Sequence, residues 1–325
     1  MTAIENAPPP PVAVAAPATL AARLMRQPTD WLAAVLVSWI LPLELLGFPS
    51  TYLTSLAFWL VPVILLLPRL YHETDAGGRR RRAFWLTTAF IFVAGCALDF
   101  VFGEWILEFD SAVPGPYVWR FPFGQHIPIE EVLFYLLGGM AIVLVYIWAD
   151  EYWMKAYNVR QRRTNQDLFG ALFRLVEFSP HALAVGAGLF LLGMILKWRF
   201  TGQFWPPPYY FTFLVLLSFV PAVLVYRNVK QVVNWRAFSF TCLWVLVTSC
   251  IWEVTLGIAR SWWWYQPPPS IIGWTIPAFG SLPARPYPIE ALLVWLAVSF
   301  NTIFAYEFLK GITYDERSTR QAMLG

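Results

Sequence analysis

Two segments of this chain, Pro128-Ile129-Glu130-Glu131 and Pro288-Ile289-Glu290-Ala291, set a glutamate two residues after a proline at the head of a long apolar run. Two further acids, Asp99 and Glu253, interrupt the apolar runs upstream of these motifs, each four residues before a glycine, Gly103 or Gly257. A carboxylic acid in apolar surroundings can hold its proton until a substrate arrives, and the carboxylate left behind can take a proton back. Acid–base chemistry is therefore the first expectation, centred on Glu130 and Glu290 with Asp99 and Glu253 as partners. The ordinary alternative is helix capping, because proline starts helices and an acid in the first turn is favoured by the helix dipole. For Glu131 the two readings stand level: its counterpart is Ala291, and its direction differs from that of Glu130 by about 100° around a helix. Glu44 has no counterpart in the second half and reads as an interfacial group, while Glu104 and Glu108 read as loop-facing.

The segments after Asp99 and Glu253 are both aromatic. Trp105, Phe109, Tyr117 and Trp119 follow the first, and Trp262, Trp263, Trp264, Tyr265 and Trp274 follow the second. Exposed members suit an aromatic belt at a lipid headgroup layer. Members facing the acids have π-faces that can stabilise a carbocation.

The elements that position these residues follow from composition. Hydrophobic residues make up 58% of the 325 and charged residues only 13%, which predicts an integral membrane protein. Apolar segments of spanning length lie at roughly 30–48, 52–71, 83–105, 128–150, 181–199, 208–226, 236–259 and 287–310. The expectation is an all-α integral membrane protein with eight transmembrane helices. A Pro- and Ala-rich arm over 1–28 reads as disordered. Leu168, Phe169, Leu172, Phe173 and Val176 give the connection 158–180 one apolar face, as in a helix lying on the cytoplasmic surface.

The two halves, 29–157 and 181–312, read as copies, followed by a tail over 313–325. Arg82-Ala83-Phe84 recurs as Arg236-Ala237-Phe238, Cys96 as Cys250, Asp99 as Glu253 and Gly103 as Gly257, all at an offset of 154 residues (236 − 82). The Pro-Ile-Glu motifs recur at 160 (290 − 130). Four helices per copy make two parallel repeats rather than inverted ones. With the N-terminus inside, 18 of the 23 Lys and Arg residues fall on the cytoplasmic side, so both termini are expected in the cytoplasm of a multi-pass protein of the cell (inner) membrane. That topology brings the acids to one outer layer.

Several functions lose support. Basic residues are spread over many loops, which argues against nucleic acid. Cys96, Cys242 and Cys250 lack metal or disulfide spacing, and three scattered histidines cannot form a di-iron box. Walker, GxSxG, HExxH and dinucleotide fingerprints are absent, as is DDxxD. No cofactor and no metal are expected.

The run Trp252-Glu253, Trp263-Trp264-Tyr265, Gly273 and Pro288-Ile289-Glu290 resembles the bacterial and fungal membrane lycopene cyclases of the heterodimeric or fused type. The first half is similar through Asp99, Trp105, Phe109 and Pro128-Ile129-Glu130-Glu131-Val132-Leu133-Phe134-Tyr135. The chain departs from the family pattern at Ala291 and in having about four spans per half. The resemblance implies a cofactor-free isomerase of carotenoid biosynthesis: the terminal alkene of lycopene or a related linear carotenoid is protonated, the cation closes a ring, and a proton leaves to give a β-ionone end. It implies catalytic roles for Glu130, Glu290, Asp99, Glu253 and Glu131, and substrate contacts at Trp105, Phe134, Trp263 and Tyr265. The implied partners are a linear carotenoid and membrane lipids, with a carotenoid-pathway complex or a homo-oligomer compatible. A related hydratase, or a proton- or cation-coupled transporter built from duplicated halves, is the competing reading.

Overall fold

A computed structural model describes residues 51–72, 78–109, 117–120, 126–154, 180–230, 232–258, 262–276 and 287–314. The N-terminal arm, the first apolar segment with Glu44, the linker helix around 165–178 and the tail from 315 lie outside the described residues.

The described chain is mainly helical. In order it forms α1 (Tyr52–Ser55), α2 (Ala57–His72), α3 (Arg79–Ile106), β1 (Leu107–Phe109), β2 (Tyr117–Arg120), β3 (His126–Pro128) and α4 (Ile129–Trp148). There follow α5 (Pro180–Thr201), α6 (Tyr209–Leu214), α7 (Val220–Val229), α8 (Trp235–Trp252), β4 (Trp263–Tyr265), β5 (Thr275–Ile276), β6 (Tyr287–Pro288) and α9 (Ile289–Tyr314). Six spans among these residues are long and apolar enough to cross a membrane: Arg80–Gly103, Ile129–Glu151, Pro180–Thr201, Tyr209–Tyr226, Trp235–Ile258 and Ile289–Gly311. The segment expected at 52–71 becomes the short α1 followed by a shorter apolar helix, Ala57–Tyr71. The break falls at Leu56, whose amide turns back to Leu53 O and Thr54 O to close α1, while Thr51 caps the start of α1 by accepting from the Thr54 amide.

Burial orders the bundle. The spans of α4 and α8 are each 67% buried, against 28% for that of α5 and 22% for that of α3, so the first two form the centre. α3 packs on α9 and α4, α2 on α4, and α8 on α9. Met140 to Ala149, the second half of α4, is buried without interruption, as expected of a helix ringed by others. Leu183, Leu191, Leu192, Ile195 and Trp198 of α5 remain exposed, which suits a helix facing hydrocarbon.

Among the described residues π-helical turns occur at Ala149–Trp153, Val215–Phe219 and Glu253–Ile258. Such turns insert a residue into the helical ladder and re-aim the side chains around it. The last begins at Glu253, whereas the helix bearing Asp99 stays α-helical through Ile106.

Three two-stranded antiparallel ribbons cover the ends of these helices. β2 pairs with β3 and β5 with β6, so each Pro-Ile-Glu helix begins directly from a ribbon, with Tyr117 opposite Pro128 and Thr275 opposite Pro288. β1 pairs with β4 across the halves: Leu107 faces Tyr265, Glu108 faces Trp264 and Phe109 faces Trp263. The Trp264 Nε1 and Gln266 Nε2 groups donate to Glu108 Oε2 at 2.9 Å and 3.3 Å. Glu108 thus anchors the ribbon between the halves.

At the other end of the same helices lies a second polar cluster. Tyr146 donates to Glu307 Oε1 at 3.0 Å, Lys310 pairs with the same oxygen, and Asn234 donates to Asp150 Oδ1 at 3.0 Å. Asn234 also caps α8 by accepting from the Ala237 amide. Buried polar groups at this depth need such partners, and here the partners tie α4, α8 and α9 together.

Candidate functional site

A cavity of about 130 Å³ lies beneath the β1–β4 ribbon. Its wall is aromatic, formed by Phe134 and Tyr135 of α4, Trp252 of α8, Trp263 and Tyr265 of β4, and Trp295 of α9, with Tyr210 of α6 beside them. The rings brace one another: Phe134 stacks on Trp252 at 4.9 Å, Trp252 lies 5.0 Å from Trp263, and Phe134 meets Trp295 edge-on at 5.6 Å. Behind them Trp59 stacks on Trp295 at 5.3 Å. A dry cavity of about 150 Å³ accommodates benzene, so this one is the size of roughly a single six-membered ring.

Two carboxylates enter this wall, Glu131 and Glu253. Glu131 stands in the first turn of α4, where the helix dipole favours an acid. The Tyr52 hydroxyl donates to its Oε2, and Tyr135, one turn further along α4, lies against the same carboxylate. Glu253 opens the π-helical turn. Its Oε1 accepts from Trp295 Nε1 at 2.8 Å and its Oε2 from the Tyr265 hydroxyl at 3.0 Å. Burial, and then the charge of Glu253, push the Tyr265 phenol well above its ordinary range, so it remains protonated as a donor.

The other expected acids sit close by but outside the cavity lining. Asp99 is 7% exposed, lies within electrostatic reach of Glu131, and its Oδ2 has no hydrogen-bond partner among the described residues. Gly103 makes room for it: a Cβ there would stand 2.3 Å from Asp99 Oδ1. Glu290 is fully buried, with Oε1 accepting from the Ile272 amide at 2.5 Å and Oε2 left without a partner. Glu130 is buried too, and its Oε2 likewise lacks a partner among the described residues. Along a helix, adjacent residues diverge by about 100°, which is why Glu131 meets the cavity while Glu130 turns aside.

Of the aromatic residues singled out by sequence, Phe134, Trp263 and Tyr265 line the cavity. Trp105 does not; it is 53% exposed and packs against Phe102 and Tyr209. Gly257 lets Trp263 reach the wall, since a Cβ at that position would lie 2.1 Å from the indole ring.

Sequence reasoning passed over Tyr52, Tyr210 and Trp295. For Trp295 a signal existed: Tyr135 and Trp295 each lie four residues beyond the second position after Pro-Ile, on the face of Glu131 and Ala291. Tyr52 had none, being brought to Glu131 only by tertiary packing across 79 positions. Among the described residues no three His, Cys, Asp or Glu side chains gather as a set of metal ligands.

Compared with models of protein families, with curated proteins and with solved structures, the chain matches none.

Proposed function

We propose that this protein catalyses a proton-initiated, non-redox cyclisation of the end of a linear carotenoid such as lycopene, giving a β-ionone ring. The observation that carries the reading is the ring-sized aromatic cavity with Glu131 and Glu253 in its wall. Aromatic faces stabilise cations, and buried carboxyl groups both give and accept protons. A rod-like polyene dissolved in the bilayer would place one end in this cavity and leave its chain among the helices. Glu130, Glu290 and Asp99 complete the acidic layer: Asp99 lies beside Glu131, and Glu290 holds the Ile272 amide behind the site.

The finer architecture belongs to the same proposal: eight spans, two parallel four-helix repeats and both termini in the cytoplasm. Supporting the repeat, Thr87 donates to Ala83 O and Thr241 to Ala237 O, both at 2.8 Å and 154 residues apart (241 − 87). Corresponding ribbons also precede both Pro-Ile-Glu helices. The β1–β4 register also supports a two-fold relation between the halves, because Phe109 faces Trp263 and the two lie 154 residues apart (263 − 109).

Expression in lycopene-accumulating cells, followed by chromatography and mass analysis of pigments, tests the activity. Cyclic carotenoids of unchanged mass are expected without added flavin or nicotinamide, and reduced amounts from Glu130→Gln and Glu290→Gln at matched membrane levels. Unchanged linear pigment, together with proton or cation flux in vesicles carrying the purified protein, would establish the transporter instead.

A further inference from the structure

The two carboxylates of the cavity differ in their neighbours. Both oxygens of Glu253 accept hydrogen bonds, from Trp295 Nε1 at 2.8 Å and from the Tyr265 hydroxyl at 3.0 Å. An indole nitrogen can only donate, and donors directed at both oxygens favour the ionised carboxylate. Glu131 also accepts from Tyr52, with Tyr135 against it, but a phenol can take a hydrogen bond as well as give one, and Glu131 shares its surroundings with another acid. Asp99 lies within electrostatic reach, is more than nine-tenths buried, and has an Oδ2 that no described group satisfies. Two buried carboxyl groups together hold a proton between them, because ionising both sets like charges side by side out of water. The unpartnered Oδ2 is where such a proton can reside.

Resting on the cyclisation reading, we infer that the cavity is a single site with divided labour, in which Glu131, recharged by Asp99, gives the initiating proton and Glu253 accepts the departing one. The Glu131 O–H bond breaks as a C–H bond forms at the terminal alkene carbon of the substrate, leaving a tertiary cation. A neighbouring double bond attacks that cation, and the ring C–C bond closes. A C–H bond next to the new cationic centre then breaks; its electron pair becomes the ring double bond and its proton passes to the Glu253 carboxylate. No electrons enter or leave. The Asp99 proton restores Glu131, Asp99 takes up a proton from solvent, and Glu253 returns its proton to solvent. Asp99 does not line the cavity and acts through Glu131, so it is a positioning and proton-holding residue.

The test uses membranes containing the full chain, lycopene as the probe and heavy water as solvent. Wild type is expected to give cyclic product carrying one solvent deuterium per ring. Glu131→Gln is expected to return linear substrate without deuterium. Glu253→Gln is expected to lose at least tenfold in ring formation while returning deuterated linear substrate and water-trapped alcohols, since its cation forms but lacks its base. Glu253→Asp, which keeps a base at the site, is expected to recover ring formation in part, and all variants are compared at matched membrane level with retained polyene absorbance shifts. The reversed pattern, wild-type yields from both glutamine variants, or unlabelled substrate from Glu253→Gln in the presence of active Glu253→Asp would each overturn the division of labour. An inert wild type would overturn the cyclisation reading and this inference with it, so the two failures are distinguishable.

Discussion

Trp295 Nε1 donates to Glu253 Oε1 at 2.8 Å, joining the helix that begins at Pro-Ile-Glu to the acid at the end of α8. Position 135, at the same step after the first Pro-Ile-Glu, holds a tyrosine against Glu131 instead. Replacing Trp295 by Phe keeps an aromatic ring in the wall and deletes only the donor. A hydrogen bond to a charged acceptor contributes about 1.5–3 kcal/mol, so turnover is expected to fall by about tenfold to a hundredfold. Initial rates with lycopene in membranes check this, and a wild-type rate would remove Trp295 from any part in orienting Glu253.

Gly257 is a matter of space. A methyl group there would stand 2.1 Å from the Trp263 ring, so Gly257→Ala must displace that indole. Overpacking of this kind costs about 1–3 kcal/mol, and the displaced ring also fills or opens the cavity. Lower thermal stability in detergent and lost activity are expected, with Trp263→Phe added to Gly257→Ala restoring some of each. A Gly257→Ala protein as stable and active as wild type would contradict the packing.

Tyr265 supplies the pH prediction. Burial and the adjacent Glu253 raise its phenol above the ordinary value, so the folded protein keeps it neutral where an unfolded chain would begin to ionise it, near pH 10. Its contribution to stability is complete below that value and declines as the pH rises beyond it toward the folded value. Ultraviolet difference titration of wild type against Tyr265→Phe should show no tyrosinate from residue 265 until the protein unfolds in alkali. Ionisation of that phenol at its ordinary value in the native protein would contradict its burial.

The Glu307–Lys310 pair, at the opposite end of the helices from the cavity, is a structural matter. Both side chains are almost wholly buried, and Tyr146 also bonds Glu307. Lys310→Met is expected to destabilise by about 3–5 kcal/mol because it strands a buried carboxylate, while the double variant Glu307→Leu/Lys310→Met lies closer to wild type. Denaturant unfolding in detergent compares them. Equal losses from single and double variants would mean that the pair does not act as a unit.

Much of the helical framework was legible because apolar length and charge content are nearly sufficient to announce a membrane span. The break at Leu56 was less visible: the apolar run at 52–71 continues through it, and the end of α1 shows only in the Leu56 amide turning back to Leu53 O and Thr54 O. Phe134, Trp263 and Tyr265 were singled out through the resemblance, and all three line the cavity. The orientation of Glu131 toward the cavity was not, since one step along a helix decides it and neighbouring ribbons fix the helix rotation. Nor could periodicity announce the π-helical turn at Glu253, which lies beside the packed rings of Trp252, Trp263 and Trp295.

The ribbon formed by β1 and β4 has one more consequence. Two identical subunits meeting on a two-fold axis must present the same residue from each side. A chain that pairs two different strands is released from that demand, and this ribbon uses the release: Glu108 accepts where Trp264 donates. A second copy of β1 cannot offer the indole N–H that Glu108 takes, and a second copy of β4 cannot offer the carboxylate. β1 and β4 therefore recognise each other rather than their own copies, and a contact inside one chain is kept from becoming a contact between two.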